Sequence, residues 1–436
     1  MVSHRRIDIP ALAGMVLALA TLSNASAENW PSWRGPSHNG ISGETNLPIE
    51  FGPDKNVAWK LPLPGQAGAT PCIWGKDIFV TSVDDDDFLL MCISTDGTEK
   101  WRRVIGNGNQ RVRGDEGNYA SPSPSTDGKH VWVMFGQGDL ACFDFAGNEV
   151  WAFNLQDRYG KFQIQFGMAS TPVLHKGRLY LQLIHGEGRP NTQEARVVAL
   201  DASTGKEIWQ TGRVTGASQE NEHSYASPTL YDDGKETYLV THGGDYAIAF
   251  NLEDGKEIWR LAGLNPRDDP NRRYHPTLRF VASPVANEGM VVVPTAKNGP
   301  VVAVKGSARG LVDADSSDHL WTRPQNTPDV PSPLIKDGLV YLCRENGNLL
   351  VLDAKTGKEM DENRTTRDRH RASPVWADGK IYLTARGGII TVVKEGAEFE
   401  VLSQNDLGEE ISASPAISDG TIYLRTFKSL WAIRQK

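Results

Sequence analysis

The chain has 436 residues, a formal net charge of −8 and only four cysteines. An acidic chain without blocks of Lys and Arg argues against nucleic acid as the main partner. No Cys-x-x-Cys and no adjacent cysteine pair occurs, so neither a zinc knuckle nor a redox dithiol is indicated, and four free thiols are expected.

Residues 1–27 read as a secretion signal. His4-Arg5-Arg6 is a basic start, residues 11–22 are an apolar core too short to span a bilayer, and Ala25-Ser26-Ala27 is a small-x-small cleavage site. The residues after the paired arginines fit a twin-arginine signal poorly, no cysteine lies near the cleavage site to carry a lipid, and no later stretch is apolar enough to cross a membrane. Residues 28–56 are rich in Pro and Gly but also carry Trp30-Pro31-Ser32-Trp33-Arg34-Gly35-Pro36. Tryptophan is foreign to flexible linkers, so this is an ordered leader with aromatic anchors. Val57-Ala58-Trp59-Lys60-Leu61 then looks like a fourth strand with no first three before it.

From there the chain repeats. Each unit begins with a small residue before Ser/Thr-Pro, at Thr70-Pro71, Ser121-Pro122, Thr171-Pro172, Ser227-Pro228, Ser283-Pro284, Ser332-Pro333, Ser373-Pro374 and Ser414-Pro415. These eight copies recur at the period of propeller blades. Proline is tolerated where it opens a strand, and small residues beside it suit eight first strands converging on one axis. An apolar run, a turn such as Asp378-Gly379 and a second run follow. Each unit ends in a hairpin, clearest at Ala199-Leu200-Asp201-Ala202-Ser203-Thr204-Gly205-Lys206-Glu207-Ile208-Trp209. Asp201 turns onto its own backbone and Gly205 supplies the positive φ of a short hairpin loop. Copies of this hairpin place Trp59, Trp101, Trp151, Trp209, Trp259 and Trp321 at one position, with Cys92 and Cys142 standing where other copies have Ala199 and Ala249. Asp361 breaks the pattern in the sixth unit, and the seventh offers only Phe399 nearby. Strands a, b, c and d therefore make each unit. The last unit, from Pro415 to Lys436, has room for a, b and c alone, so the strand over residues 57–61 closes the ring and removes two exposed sheet edges.

The Ala-x-Asp-x-x-Thr-Gly-Lys-Glu-x-Trp hairpin resembles the tryptophan-docking motif of the PQQ-like, or quinoprotein, β-propellers, from Trp30 to the end of the chain. The leader Trp-Pro-x-x-Arg-Gly-Pro is similar to that of exported PQQ-like repeat proteins of planctomycete-type bacteria. The resemblance implies an eight-bladed propeller whose tryptophans pack between blades. It leaves activity open, since the family holds PQQ-dependent dehydrogenases as well as the propeller of the outer-membrane assembly machinery. An enzyme of this family would carry PQQ with calcium. The chain lacks the adjacent cysteines of the alcohol dehydrogenases and offers no local sequence onto which calcium ligands or a catalytic Asp transfer, so none is assigned.

Function is expected where the repeats differ, in the d-to-a and b-to-c connections around the channel mouth. The long d-to-a connections are 102–118, 152–167, 210–223 and 260–279. The b-to-c ones include 82–87, 185–194, 241–244 and 344–347. Loops of this length on a rigid scaffold carry function. They bring His185, His223, His242, His275 and His370, Arg279, Arg344, Arg369 and Arg386, and Tyr119, Tyr225 and Phe280 near one opening. The candidate ligand-binding set is Tyr119, His223, Tyr225, His242, Arg279, Arg344, His370 and Arg386. Cations with aromatics suit an anionic or polyhydroxy ligand or a peptide end; solvated loops over a water-filled channel are the plain alternative for each residue. No two histidines show a local metal spacing, and Asp84-Asp85-Asp86-Asp87 lacks the alternating acidic pattern of a calcium loop. No Gly-x-Ser-x-Gly elbow or phosphate loop is present.

The expected organisation is a signal peptide over 1–27, a leader over 28–56 and an all-β, eight-bladed propeller over 57–436. The expected protein is an exported, periplasmic or extracellular monomer that binds a protein partner or a small polar ligand and is not an enzyme. A PQQ-dependent oxidoreductase of alcohols or sugars, or a metal-assisted carbohydrate-active enzyme, is the alternative.

Overall fold

A computed structural model describes residues 1–2, 28–112, 117–187, 192–266 and 273–436. The expected signal peptide and parts of three long mouth loops lie outside the described residues. The rest forms eight antiparallel sheets of the expected a-b-c-d order arranged as a ring. The third blade is representative, with strands Val173–His175, Arg178–His185, Glu194–Asp201 and Glu207–Gly212. Its b and c strands are nearly continuous apolar runs because neighbouring blades cover both faces, whereas the d strand alternates between exposed and half-buried residues at the rim. Among the described residues no helix is long and apolar enough to cross a membrane.

The ring closes as the sequence indicates. Val57–Pro62 pairs antiparallel with Ser429–Arg434, placing Trp59 opposite Ala432 and Leu61 opposite Leu430. Two blades carry an extra parallel strand: Ile41–Ser42 of the leader lies beside Val375–Ala377, and Gly310–Val312, inside the c-to-d connection of the fifth blade, lies beside Glu257–Leu261 of the fourth.

The eight strand-a starts are tied to each other at the axis. The main-chain N–H of Thr70 donates to Ser123 Oγ, Ser123 to Thr171 Oγ1, and so on through Ser227, Ser283, Ser332, Ser373 and Ser414, whose N–H returns to Thr70 Oγ1. All eight bonds are between 2.8 and 3.1 Å, and the donors all face the same way round the ring. This corrects the second repeat. The equivalent residue is Ser123, before Pro124, and not Ser121, because only Ser123 immediately precedes the strand at Ser125–Thr126. The Ser121 hydroxyl donates instead to the Asn118 carbonyl at 2.5 Å.

The docking residues join blades at the rear, where the c-to-d turns lie. The c–d ladder shifts register beside the docking position in every blade, at Ala199/Leu200 and Ala249/Phe250 for example, and this bulge re-aims the tryptophan toward the next blade. Trp209 donates its Nε1–H to the Leu252 carbonyl at 3.0 Å, and its ring lies on the turn at Gly255. A Cβ at Gly255 would sit 2.5 Å from that ring, and φ there is +67°, so glycine is required twice over. Trp59, Trp101, Trp151 and Trp321 make the same bond to the next blade, at 2.8 to 3.0 Å. Trp259 is fully buried, in a strand flanked by the parallel strand over residues 310–312. Burying a tryptophan removes about 150–250 Å² from water, roughly 4–6 kcal/mol as an upper bound.

Where tryptophan is missing, the interface is built differently. Asp361 occupies the docking position opposite Val351 and accepts a hydrogen bond from the Phe399 N–H of the next blade at 2.8 Å. In the seventh blade the position falls on Ser403, opposite Val392, and not on Phe399. There the leader supplies the packing: Ser403 and Asn405 both donate to the Ile49 carbonyl, and Leu47 and Phe51 are buried in the same core.

The leader also seals the rear of the channel. Trp30 is fully buried and pairs with Ile73, while the buried Arg34 guanidinium donates to the Pro333 and Pro374 carbonyls, each at 2.9 Å. Trp33 lines the narrow throat above it.

Trp209 is half-buried against the blade core, so Trp209→Ala should destabilise the protein by up to about 3–5 kcal/mol, the range for truncating a fully buried tryptophan. Asp361→Ala should cost about 1 kcal/mol, the net worth of one hydrogen bond. Chemical denaturation of both variants checks this, and equal losses would contradict the assigned docking positions.

Candidate functional site

At the mouth the residue two places before each ring hydroxyl points into the channel. These residues are Gly68, Ser121, Ala169, Tyr225, Val281, Val330, Arg371 and Ser412, and all eight line both a throat of about 130 Å³ and the wider mouth of about 530 Å³ above it. The reason is the pleat: positions alternate between channel and blade interior on approaching the strand. Most rim residues are small, so Tyr225 on the fourth blade and Arg371 on the seventh dominate it. Arg279 and Arg369, a further two positions upstream, widen the rim, and Phe166, Asp329 and Glu345 complete the wall.

The polar groups are held in place. Arg371 pairs with Glu345 at 2.6 Å, and Arg279 with Glu220 at 3.6 Å. The Arg279 guanidinium lies 5.8 Å from the Phe166 ring centre, and Phe166 lies 5.8 Å from Tyr225. Arg279 and Phe280 are consecutive non-glycine residues with φ of +59° and +41°, a strained pair of the kind that persists where surrounding contacts over-determine it. Here Asn221 Oδ1 accepts from the Leu278 and Arg279 N–H groups, and the Phe280 carbonyl accepts from Tyr225 and Ala226. The strain aims Arg279 over the opening.

Of the eight candidate residues, Tyr225 and Arg279 line the mouth cavity and the other six do not. Tyr119 packs on the Gly136 and Gly167 backbones and its hydroxyl meets Gln110 Oε1 at 3.1 Å. Arg344 pairs with Glu362 at 3.1 Å. Arg386 is buried against Glu410 and the Phe427 ring. His223 turns its Nε2 to the Gly186 carbonyl. His242 is buried edge-on to Phe280, 4.8 Å between ring centres, and His370 sits three places before Ser373, on the blade side of the pleat. Burial pushes the His242 pKa down to about 3 and that of His370 to about 4, so both imidazoles are neutral core residues. Arg371, Phe166 and Asp329 escape notice when loops are read by length; counting two back from each Ser/Thr-Pro finds Arg371.

The cavity's chemistry is recognition of a partly anionic, partly apolar group. Its described residues do not make a calcium site. Calcium takes six to eight oxygens, whereas among the described residues the cavity wall brings two carboxylates, and Glu345 is committed to Arg371. Among the described residues no group of three or more His, Cys, Asp or Glu is placed to hold a metal ion. The four cysteines are free and buried in blade cores.

Fold, docking hairpins and channel define an eight-bladed propeller of the PQQ-like repeat class. The chain belongs to the family described as outer membrane protein assembly factor BamB, whose model matches residues 49–189, 136–269 and 193–436. It is 25% identical over 265 residues to the outer membrane protein assembly factor BamB of Yersinia pestis, an alignment spanning 60% of this chain and 59% of that relative. BamB from Moraxella catarrhalis superposes with a TM-score of 0.62 at 11% identity, over 86% of this chain and 99% of that one. A europium-containing methanol dehydrogenase superposes with a TM-score of 0.66 at 13% identity, over 93% and 89%. The same fold therefore occurs in an assembly factor and in an enzyme.

The buried histidines predict acid sensitivity. His38, His185 and His370 have pKa values lowered to about 4 and His242 to about 3, all chiefly by burial. A neutral imidazole in the fold binds fewer protons than the unfolded chain below its ordinary pKa near 6.5, so stability is full above that value and falls as pH drops toward 4. Each such histidine contributes at most about 1.4 kcal/mol per pH unit in that window. Urea unfolding at pH 7.5 and 5 should show the loss, and His242→Gln should reduce the slope. A pH-independent midpoint would contradict neutral burial.

Proposed function

We propose that this protein is an exported, non-catalytic binding scaffold that takes a protein segment or small polar ligand at the channel mouth. The observation carrying this reading is the lopsided rim: a wide mouth narrowing to a throat floored by Trp33, small residues on most blades, and Tyr225, Arg279, Arg369 and Arg371 gathered on the remaining arc. A large aromatic and three guanidiniums at the entrance of a blind funnel recognise shape and negative charge. The BamB relatives, named as outer membrane protein assembly factors, support a protein partner, and their name supports a periplasmic setting. Monomeric assembly fits a ring that closes with its own strand.

The second reading, a quinoprotein oxidoreductase, is favoured by the fold of the methanol dehydrogenase. The arginines suit the carboxylates of PQQ, but the described residues of the mouth offer only two carboxylates toward calcium, and no step is derived through that cofactor.

A photo-crosslinking amino acid at Val330, on the rim, should give a discrete adduct in cells making the protein, and one at Lys206, on a rear turn, should not. The adduct should disappear in the Arg279→Ala, Arg369→Ala, Arg371→Ala triple variant, which should fold normally. Dye-linked oxidation of alcohols or sugars by the purified protein given PQQ and Ca²⁺ would overturn the scaffold reading, as would adducts confined to Lys206.

A further inference from the structure

On the rear face the leader covers only part of the ring. Between residues 31–39 and the a-to-b turns of the first five blades it leaves a second cavity of about 540 Å³, on the opposite side of Trp33 from the mouth. One wall is Trp74. Its ring lies against the next blade's turn at Gly128, where a Cβ would be only 2.4 Å away and φ is +89°. The glycine is what allows an indole to lie there and line the space. The polar lining comes from separate blades and the leader: His38, Asp127, His175, Asp232 and Asn287. His38 is fixed by Ser32, whose hydroxyl lies 3.3 Å from its Nδ1. The Nε2 atom of His175 is buried and makes no hydrogen bond among the described residues, a state that buried polar atoms rarely keep without a partner.

The chemistry of this lining is specific. Asp127 and Asp232 use one oxygen each to cap their own turns, at 2.8 and 2.9 Å; the second oxygen of Asp127 lies 3.9 Å from His130 Nδ1, a long contact that leaves it lone pairs to offer, and that of Asp232 is a further acceptor. Amides, hydroxyls and imidazoles supply both donors and acceptors, and a single lysine, Lys176, stands beside the two carboxylates. Two carboxylates disfavour an anion. The absence of any three-ligand grouping among the described residues disfavours a metal ion. Mixed donors and acceptors next to an indole match a ring that is apolar on its faces and hydroxylated at its edge.

We propose that this rear cavity, between the leader and the first five blades, is a binding site for a short neutral oligosaccharide, with Trp74 as its platform and His175, Asp127 and Asp232 as its hydroxyl partners. The site is independent of the mouth. The protein would then join two ligands across the ring, a glycan behind and a protein segment or polar ligand in front.

The test is calorimetric titration of the purified protein with maltotriose, cellotriose and chitotriose. At least one should bind saturably. Its affinity should fall by about tenfold, or 1.4 kcal/mol, in Trp74→Ala and in His175→Ala, hold in Trp74→Phe, and stay unchanged in the Arg279→Ala, Arg371→Ala double variant. Thermal unfolding of each variant reports folding. Should Trp74→Ala fail to fold, His175→Ala decides, because its Nε2 makes no bond among the described residues. Failure of all three sugars to bind overturns the proposal, as does binding that survives both rear substitutions. Sugar binding lost only in the arginine variant also overturns it and assigns the ligand to the mouth.

Discussion

Eight amide groups at the axis have to find acceptors, and the architecture follows from how they do. The residue before a proline is pushed into extended backbone, and here it sits at the start of a strand, short of the ladder. Its N–H is buried at the crowded centre, where an orphan donor would be costly. A hydroxyl on the neighbouring blade's equivalent residue is the acceptor each time, from Thr70 round to Ser414 and back. One Ser/Thr-Pro per blade thus sets strand start, pleat phase and neighbour spacing together. It also decides which residues line the channel, since the pleat is counted from that point.

The rear of the ring is held by a second device that tolerates exceptions. Tryptophan on a glycine turn joins most neighbouring blades, but Asp361 uses a hydrogen bond, and the seventh and eighth blades are joined through residues 47–51 of the leader. The leader therefore packs the seam where docking is weakest, contributes Ile41–Ser42 to the seventh blade and blocks the axis with Arg34. The same fold occurs in the assembly factors and in the dehydrogenase it resembles, so the fold does not by itself fix what the mouth binds.

Much of this was legible in the sequence. The Asp201 to Trp209 hairpin announced the blade, and the missing fourth strand after residue 434 announced its partner at residues 57–61. Ser121 and Ser123 both precede proline in the sequence, and only the strand start at Ser125 and the acceptor geometry at the axis separate them. At the mouth, loop length was a poor guide. His242 is buried inside strand b of the fourth blade and His370 falls on the blade side of the pleat, while Arg371, one residue after His370, faces the channel. That alternation was readable from Ser373. The rear cavity was not, because residues 31–39 form it with turns far along the chain, and nothing local in Trp74 or His175 reports that closure.

The central claim is that one closed ring is completed by pairing the chain's first propeller strand with its last. Leu61 and Leu430 face each other in that ladder. Mild oxidation of the folded Leu61→Cys, Leu430→Cys protein tests it directly, with peptide mass mapping of the products. A disulfide within one chain, joining the peptides that contain residues 61 and 430 in nearly every molecule, is the result the closed ring predicts. Free thiols at both 61 and 430, or a bridge formed only between separate molecules, would contradict it.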